Sequence, residues 1–389
     1  MARPVKRRAV KGKGAEQSAP STSGGGIKKR THRPVEPEVP ELPGELGERV
    51  KKIFDSGDYG KPIAKASSRR IDAQRERTGI LALDLGLGGG WTLSRVCMLY
   101  GEKSSGKSTI ALQSIGRILR RYPDHYSAWI DVEGTFDRAW ARKLGVDTDR
   151  LLIVEPETGE HAVDLADEML RTREIAAVGF DSIAMIAPMK EVDESSEQDN
   201  MALQARLMGK YLRKATQAIL KERGRGHNPL LININQFRMK VGLTFGDPRT
   251  LPGGKILEFA TTQQVEIKNK ENKGKDSDGN EVVLFNEHGV KITKNKAGGP
   301  MKEGMFKLIR LAGHEGLPEA WIDQAKTIFK YGVQAGVIHG APSSFEVDEV
   351  RGKFRGAPAF NAWAIENPDA YDDIQAKIVA AFRKRWDLD

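Results

Sequence analysis

The sequence predicts an α/β protein with a mostly parallel sheet, and two observations carry that prediction. The octapeptide Gly101-Glu102-Lys103-Ser104-Ser105-Gly106-Lys107-Ser108 follows the uninterrupted apolar run 96–100 and precedes Ile110, Ile115, Ile118 and Leu119 at helical spacing. That is the order strand, glycine loop, helix. Further apolar runs at 127–131, 151–154, 176–181 and 230–235 alternate with helical patterns that include 162–173 and 201–223, as parallel βαβ units require.

The spacing G-x-x-x-x-G-K-S is that of a nucleoside triphosphate cradle. Its glycines let backbone N–H groups curl round phosphates, Lys107 reaches toward the β and γ phosphates, and the Ser108 hydroxyl suits Mg²⁺. The helix start at Ser108 and Thr109 adds partial positive charge beneath them. ATP and Mg²⁺ are therefore the expected cofactors.

After 260 the character changes. Short β-type runs at 263–268, 282–285, 290–293 and 305–309 have few helical patterns between them, which predicts an antiparallel extension of the sheet. From about Gly313 the pattern is helical again, with Trp321, Ala325, Ile328 and Phe329 on one face and Tyr371, Ile374, Ile378 and Phe382 on another. Gly352, Gly356 and Pro358 mark loops between them. The expected organisation is a basic arm and Pro-rich spacer at 1–40, an N-terminal segment at 41–78 with an amphipathic helix at 45–54, an ATPase core at 79–312 and a small C-terminal domain at 313–389.

Composition excludes several classes. A chain of 389 residues with 39% apolar content buries a large core. No apolar run approaches the ~18 residues of a membrane span, and the N-terminus has no apolar leader. The single cysteine, Cys97, forms no internal disulfide and fits a reducing cytoplasm. Zinc-ligand spacing is absent. The net charge of +9 is located in residues 1–35, where ten Lys or Arg face Glu16 alone among Pro, Ser and Gly. That composition reads as a disordered arm whose natural partner is a polyanion, or as a solubilising tail.

Open parallel sheets bind ligands at the carboxyl ends of their strands. Three such ends stand out. The run 128–131 leads to Glu133, placed either as a base that activates water or as an acidic turn residue. The run 178–181 ends on Asp181, where a Walker B carboxylate helps hold Mg²⁺. The run 231–235 ends on Gln236 and is followed by a long segment, 237–254, rich in glycine and carrying Arg238, Lys240 and Arg249. A connection of that length in a compact domain is usually functional or disordered.

With these residues in view the chain resembles the RecA recombinase family. The resemblance runs from about Glu45 into the C-terminal domain and rests on Thr78 to Asp84, Ser104 to Lys107, Ala139 to Asp147, Phe180-Asp181-Ser182, Asn235 to Gly242, Phe245-Gly246, Gly253-Gly254 and Lys294-Asn295-Lys296. It implies a RecA-type P-loop ATPase core, an N-terminal oligomerisation helix and a small α/β C-terminal domain. In catalysis it casts Glu133 as base, Lys107 as phosphate ligand, Gln236 as the switch between ATP and DNA, and Lys294 and Lys296 as a pair reaching the ATP of an adjacent subunit. Gly101, Ser104, Ser105, Gly106, Lys107, Ser108 and Thr109 then cradle the nucleotide, Asp137 and Trp140 contact the adenine, and Ser108 and Asp181 hold the metal.

Two segments resemble DNA-contacting loops. One, 188–200, holds Lys190 among five acids, with Arg206 and Arg213 on the helix behind it. The other, 237–252, offers Arg238, Lys240 and Phe245, with Gly253 and Gly254 beyond. Basic side chains there suit phosphates and an aromatic ring suits bases. By resemblance the partners are single- and double-stranded DNA and further copies of the chain in a helical filament. The chain departs from the family at Glu102-Lys103, where bacterial members usually have Pro-Glu, in the weak match of 55–66 to an oligomerisation strand, and in the absence of a long acidic tail. The last departure, with the basic arm, implies readier engagement of duplex DNA. Rival expectations are a ring-forming motor or repair ATPase on the same core, and a DNA-binding scaffold without strand exchange.

Overall fold

The computed structural model describes residues 43–55, 74–186, 197–239, 249–296 and 298–388. The basic arm, the segment 56–73 and the residues Lys190, Lys240 and Phe245 lie outside them.

The chain opens with helix α1 (Gly44–Asp55), short strand β1 (Arg75–Glu76), α2 (Leu81–Leu87) and β2 (Trp91–Thr92), which pairs with β1. The α/β core follows: β3 (Val96–Gly101), α3 (Lys107–Arg121), β4 (Tyr126–Asp131), α4 (Arg138–Lys143), β5 (Leu151–Val154), α5 (Gly159–Arg171), β6 (Ile175–Asp181), α6 (Glu197–Gly224) and β7 (Leu230–Gln236). Each predicted core strand is present within a residue or so of its expected limits. The segment after Gln236 forms a small antiparallel pair, β8 (Arg238–Met239) with β9 (Arg249–Thr250), and leads into α7 (Gly254–Ala260).

The antiparallel extension is longer than its sequence pattern suggests. β10 (Gln263–Lys275) pairs with β11 (Glu281–Asn295), and β12 (Glu303–Ile309) and β13 (Ile322–Asp323) complete it. The runs expected at 282–285 and 290–293 are one strand. Polar Asn286, Glu287 and His288 interrupt the apolar signal while cross-strand pairing continues through them. The nine-stranded sheet has the order β13-β12-β11-β10-β3-β7-β6-β4-β5, parallel from β10 to β5.

Alternation along β3 shows how the core is made. Cys97 and Leu99 point into one apolar layer, with Ile110, Ile115 and Ile118 of α3, while Val96, Met98 and Tyr100 point into the other, with Ala162 and Val163 of α5 and Met208 and Tyr211 of α6. Helices therefore cover both faces, which is why β3 and β6 are apolar nearly throughout, whereas β7 buries Asn233 and Asn235.

The C-terminal elements are α8 (Ala325–Ala335), β14 (Ile338–Ala341), β15 (Ser344–Val347), α9 (Gly356–Glu366) and α10 (Pro368–Arg385). Tyr371, Ile374, Ile378 and Phe382 of α10 are buried together with Ile328 of α8 and Leu81 and Leu85 of α2. Two local expectations change. Trp321 precedes β13 rather than sharing a helix with Ile328. Gly356 and Pro358 open α9, because proline is tolerated in a first turn where its missing N–H has no helical partner.

A charge cluster fastens α10 to the core. Asp372 accepts from Arg77 and from Arg117, with Arg117 Nη2 at 3.0 Å, and all three side chains are less than a fifth exposed. Burial alone would raise the Asp372 carboxyl, but the Arg117 hydrogen bond and the two guanidinium charges bring it below the ordinary value of 3.8. Removing one partner of such a group strands the others. Asp372→Ala is expected to cost about 3 kcal/mol in chemical unfolding at neutral pH. Because the native carboxyl is depressed, that difference should persist above pH 3.8 and fade below it.

Candidate nucleotide site and its neighbouring loops

The phosphate loop begins at the end of β3 between β7 and β10, the middle of the sheet. Its path requires left-handed backbone at Ser104 (φ 59°) and Gly106 (φ 92°). Glycine at 106 has a second cause, since a Cβ there would lie 2.5 Å from His288 Cε1. Lys107 folds back into the loop, donating to Glu102 O at 2.7 Å. Desolvation lowers its pKa, opposed by the charges of Asp181, Glu133 and Glu102.

Neighbouring strand ends bring the expected residues together. Ser108 Oγ donates to Asp181 Oδ2 at 2.6 Å. Gln236 Nε2 donates to Glu133 Oε1 at 2.8 Å, so the proposed switch and the proposed base are in direct contact. A cleft of about 110 Å³ is lined by Ser108, Thr109, Asp137, Trp140 and Asp181, five of the residues the sequence assigns to the nucleotide. A larger cleft of about 540 Å³, lined by Lys291, Glu303 and Tyr331 among others, shares none of them. Size is the poorer guide here, because the smaller cleft is the one beside the phosphate loop.

Asp181 is the most perturbed carboxylate of the group. Burial, joined by the charges of Glu133 and Asp131 and opposed by the Ser108 hydrogen bond and Lys107, raises its pKa to about 6. Asp131, which the sequence did not single out, accepts from Phe136 N through Oδ2 at 2.8 Å and leaves Oδ1 buried without a hydrogen bond. A hydroxyl and crowded carboxylate oxygens are hard donors that fit Mg²⁺. Among the described residues no group of three or more His, Cys, Asp or Glu could hold a metal ion.

Asp137 caps α4, accepting from Trp140 N at 3.0 Å. Trp140 donates from Nε1 to Thr109 Oγ1 at 3.2 Å, and the Arg310 guanidinium lies 4.3 Å from its ring centroid. The ring face expected for a base thus carries a cation in this structure. Arg310 gave no sequence signal, since only folding brings β12 beside α4.

The lysine pair sits elsewhere. Lys294 is paired with Gln264 near the start of β10, and Lys296 lies just past the end of β11. Lys294 Nζ donates to Glu258 O, and desolvation followed by the Lys296 charge lowers its pKa. His288, which touches the phosphate loop, is six positions back along β11, about 20 Å at strand rise. The pair is therefore remote from the phosphate loop of its own chain.

Arg206 and Arg213 are exposed on α6. Arg238 donates to Gln204 Oε1 at 3.0 Å and Ala184 O at 2.9 Å, so its guanidinium anchors the start of its loop to the core. Arg249 lies over the Phe237 ring at 4.8 Å. Gly253 (φ 101°) and Gly254 (φ 54°) open α7. The first stretch resembling a DNA loop lies outside the described residues up to 196, and its last four positions belong to α6.

A central parallel sheet with a phosphate loop after its middle strand and acids at the neighbouring strand ends defines a P-loop nucleoside triphosphatase. The sequence model of the RecA N-terminal domain matches residues 48–315. A RecA protein of Desulforapulum autotrophicum is 34% identical over 344 residues, 86% of this chain and 93% of that protein. One from Acidothermus cellulolyticus is 35% identical over 306 residues, 77% and 82% respectively, and one from Bifidobacterium breve is 32% identical over 361 residues, 90% and 86%. The chain belongs to the RecA family.

The raised Asp181 gives a signed prediction. Ionised Asp181 costs the nucleotide-free fold, so its contribution is most favourable below pH 3.8 and is lost as pH rises through about 6. Asp181→Asn should stabilise the protein at pH 8 by up to about 3 kcal/mol, since a tenfold difference in proton affinity between the folded and unfolded chain is worth about 1.4 kcal/mol, and should give no gain at pH 4. Thermal melts at the two pH values check it.

Proposed function

We propose that this chain is an ATP-dependent DNA recombinase. Its copies assemble on single-stranded DNA as a helical filament, pair that strand with a homologous duplex and exchange strands, with DNA-stimulated ATP hydrolysis loosening the assembly. The observation that carries this reading is the 2.8 Å hydrogen bond from Gln236 to Glu133. It ties the group placed to activate water to the strand end from which the 237–254 segment departs. A DNA-induced movement of that segment then has a direct route to the base.

In this mechanism Lys107 and the loop amides would hold the phosphates of a bound nucleotide, and Ser108 and Asp181 would hold Mg²⁺, whose charge would offset that developing on the phosphate. Glu133 takes the proton of the attacking water. Gln236 fixes the orientation of the Glu133 carboxylate and, in moving, changes its availability. Lys294 and Lys296, remote from their own phosphate loop, complete the site of an adjacent subunit, which makes hydrolysis depend on assembly. The exposed edge strand β5, with Leu152 41% and Ile153 38% exposed, provides a face for a neighbouring chain. The basic arm adds sequence-independent attraction to DNA. Among the described residues no helix is long and apolar enough to cross a membrane.

Lys107→Ala and Glu133→Gln should each lower DNA-stimulated ATPase by at least about 100-fold. Full turnover by either variant would remove the site assignment. A strand-exchange assay with ATP and with a non-hydrolysable analogue should give joint molecules in both. Filaments without joint molecules would instead indicate a scaffold, and closed rings on single-stranded DNA would indicate a motor. Deleting residues 1–35 should weaken duplex binding and flatten its salt dependence; unchanged binding would remove the arm from the account.

A further inference from the structure

Beyond the ladder pairing of Gly101 with Ile267, the hairpin β10–β11 meets the phosphate loop through a cross-strand pair. Asn269 of β10 lies directly opposite His288 of β11. Asn269 Nδ2 donates to Ser104 O at 3.3 Å, and His288 Nδ1 is 3.0 Å from Ser105 O. Two adjacent side chains of the sheet thus hold two consecutive carbonyls of the loop. Since a carbonyl accepts only, His288 carries its proton on Nδ1, and Nε2 keeps a lone pair. That Nε2 is buried without a hydrogen bond, an arrangement that costs stability. The ring is 1% exposed and stacks on Phe306, with centroids 4.9 Å apart.

We propose that His288 and Asn269 are positioning residues that set the phosphate loop for ATP by fixing the Ser104 and Ser105 carbonyls against the hairpin. In a planar trans peptide the N–H points opposite the C=O. Pinning Ser105 O toward β11 turns the Gly106 N–H away from the hairpin and into the concave side of the loop. Pinning Ser104 O does the same for the Ser105 N–H, which here donates to Glu102 O at 3.3 Å within the loop. Glycine at 106 lets the imidazole approach that closely, because a Cβ there would lie 2.5 Å from the ring. β11 also carries Lys294, one residue before its end. A rigid strand of about 20 Å therefore links the phosphate loop of one subunit to the lysines offered to the next.

This inference rests on reading 101–108 as the ATP cradle, and the experiment separates the two. Equilibrium binding of a fluorescent ATP analogue and steady-state DNA-stimulated ATPase would be measured on the full chain for wild type, His288→Phe, His288→Asn and Asn269→Ala, with thermal melts to establish folding. Phenylalanine keeps the stacking ring and loses the donor, whereas asparagine places an amide N–H near the position of Nδ1. His288→Phe should weaken binding and raise KM about tenfold while kcat stays within about twofold, as for loss of one ground-state hydrogen bond. His288→Asn should restore most of that loss, and Asn269→Ala should shift KM in the same direction by less. If folded His288→Phe binds as tightly as wild type, or if phenylalanine and asparagine are equally impaired, the positioning role is overturned. If wild type itself binds no ATP analogue, the functional reading falls instead.

Discussion

The phosphate loop has to leave the carboxyl end of β3, in the middle of a parallel sheet, with β7 on one side and β10 on the other. Everything placed near it follows from that address. The next strands outward are β7, β6 and β4, and their ends deliver Gln236, Asp181 and the turn bearing Glu133. On the opposite side the antiparallel hairpin delivers Asn269 and His288 to the loop's own carbonyls. A strand register slipped by one residue would turn these side chains to the other face of the sheet.

The site is held in an electrostatically unfavourable state without its ligands. Burial raises the Asp181 pKa, the charges of Glu133 and Asp131 add to this, and the Ser108 hydrogen bond and Lys107, itself partly desolvated, offset it only in part. A divalent cation and a polyphosphate would relieve both strains at once, and burial cost would then become binding specificity. The Arg77–Asp372–Arg117 cluster shows the opposite arrangement. There, two guanidinium groups share one buried carboxylate, and the cluster serves attachment of α10.

Much of this was legible in the sequence because it is local. The cradle spacing, the apolar runs of β3 to β7 and the polar residues that end them all sit within short windows, and the structure brings Ser108 to Asp181 and Gln236 to Glu133. What was not legible depends on long-range pairing. His288 is a lone histidine in a polar stretch until β11 is laid beside β10, and Arg310 has no reason to meet Trp140 until β12 is in place. In sequence the long β11 has the pattern of two short runs for the same reason, since partner strands supply what its own apolar pattern lacks. Arg238 presents as a free cation in sequence, and only the fold shows its guanidinium against Gln204 and Ala184.

The central claim is that each ATP site is shared between two copies of the chain. Complementation tests it most directly: Lys107→Ala, with an impaired cradle and intact hairpin lysines, is mixed with a Lys294→Ala/Lys296→Ala double variant, which has the reverse. Each alone should be nearly inactive in DNA-stimulated ATPase. Random mixing in a head-to-tail assembly would place a sound cradle against sound lysines at about one interface in four, so the equimolar mixture should recover roughly a quarter of wild-type activity. No recovery, with both variants folded and bound to DNA, would contradict the account.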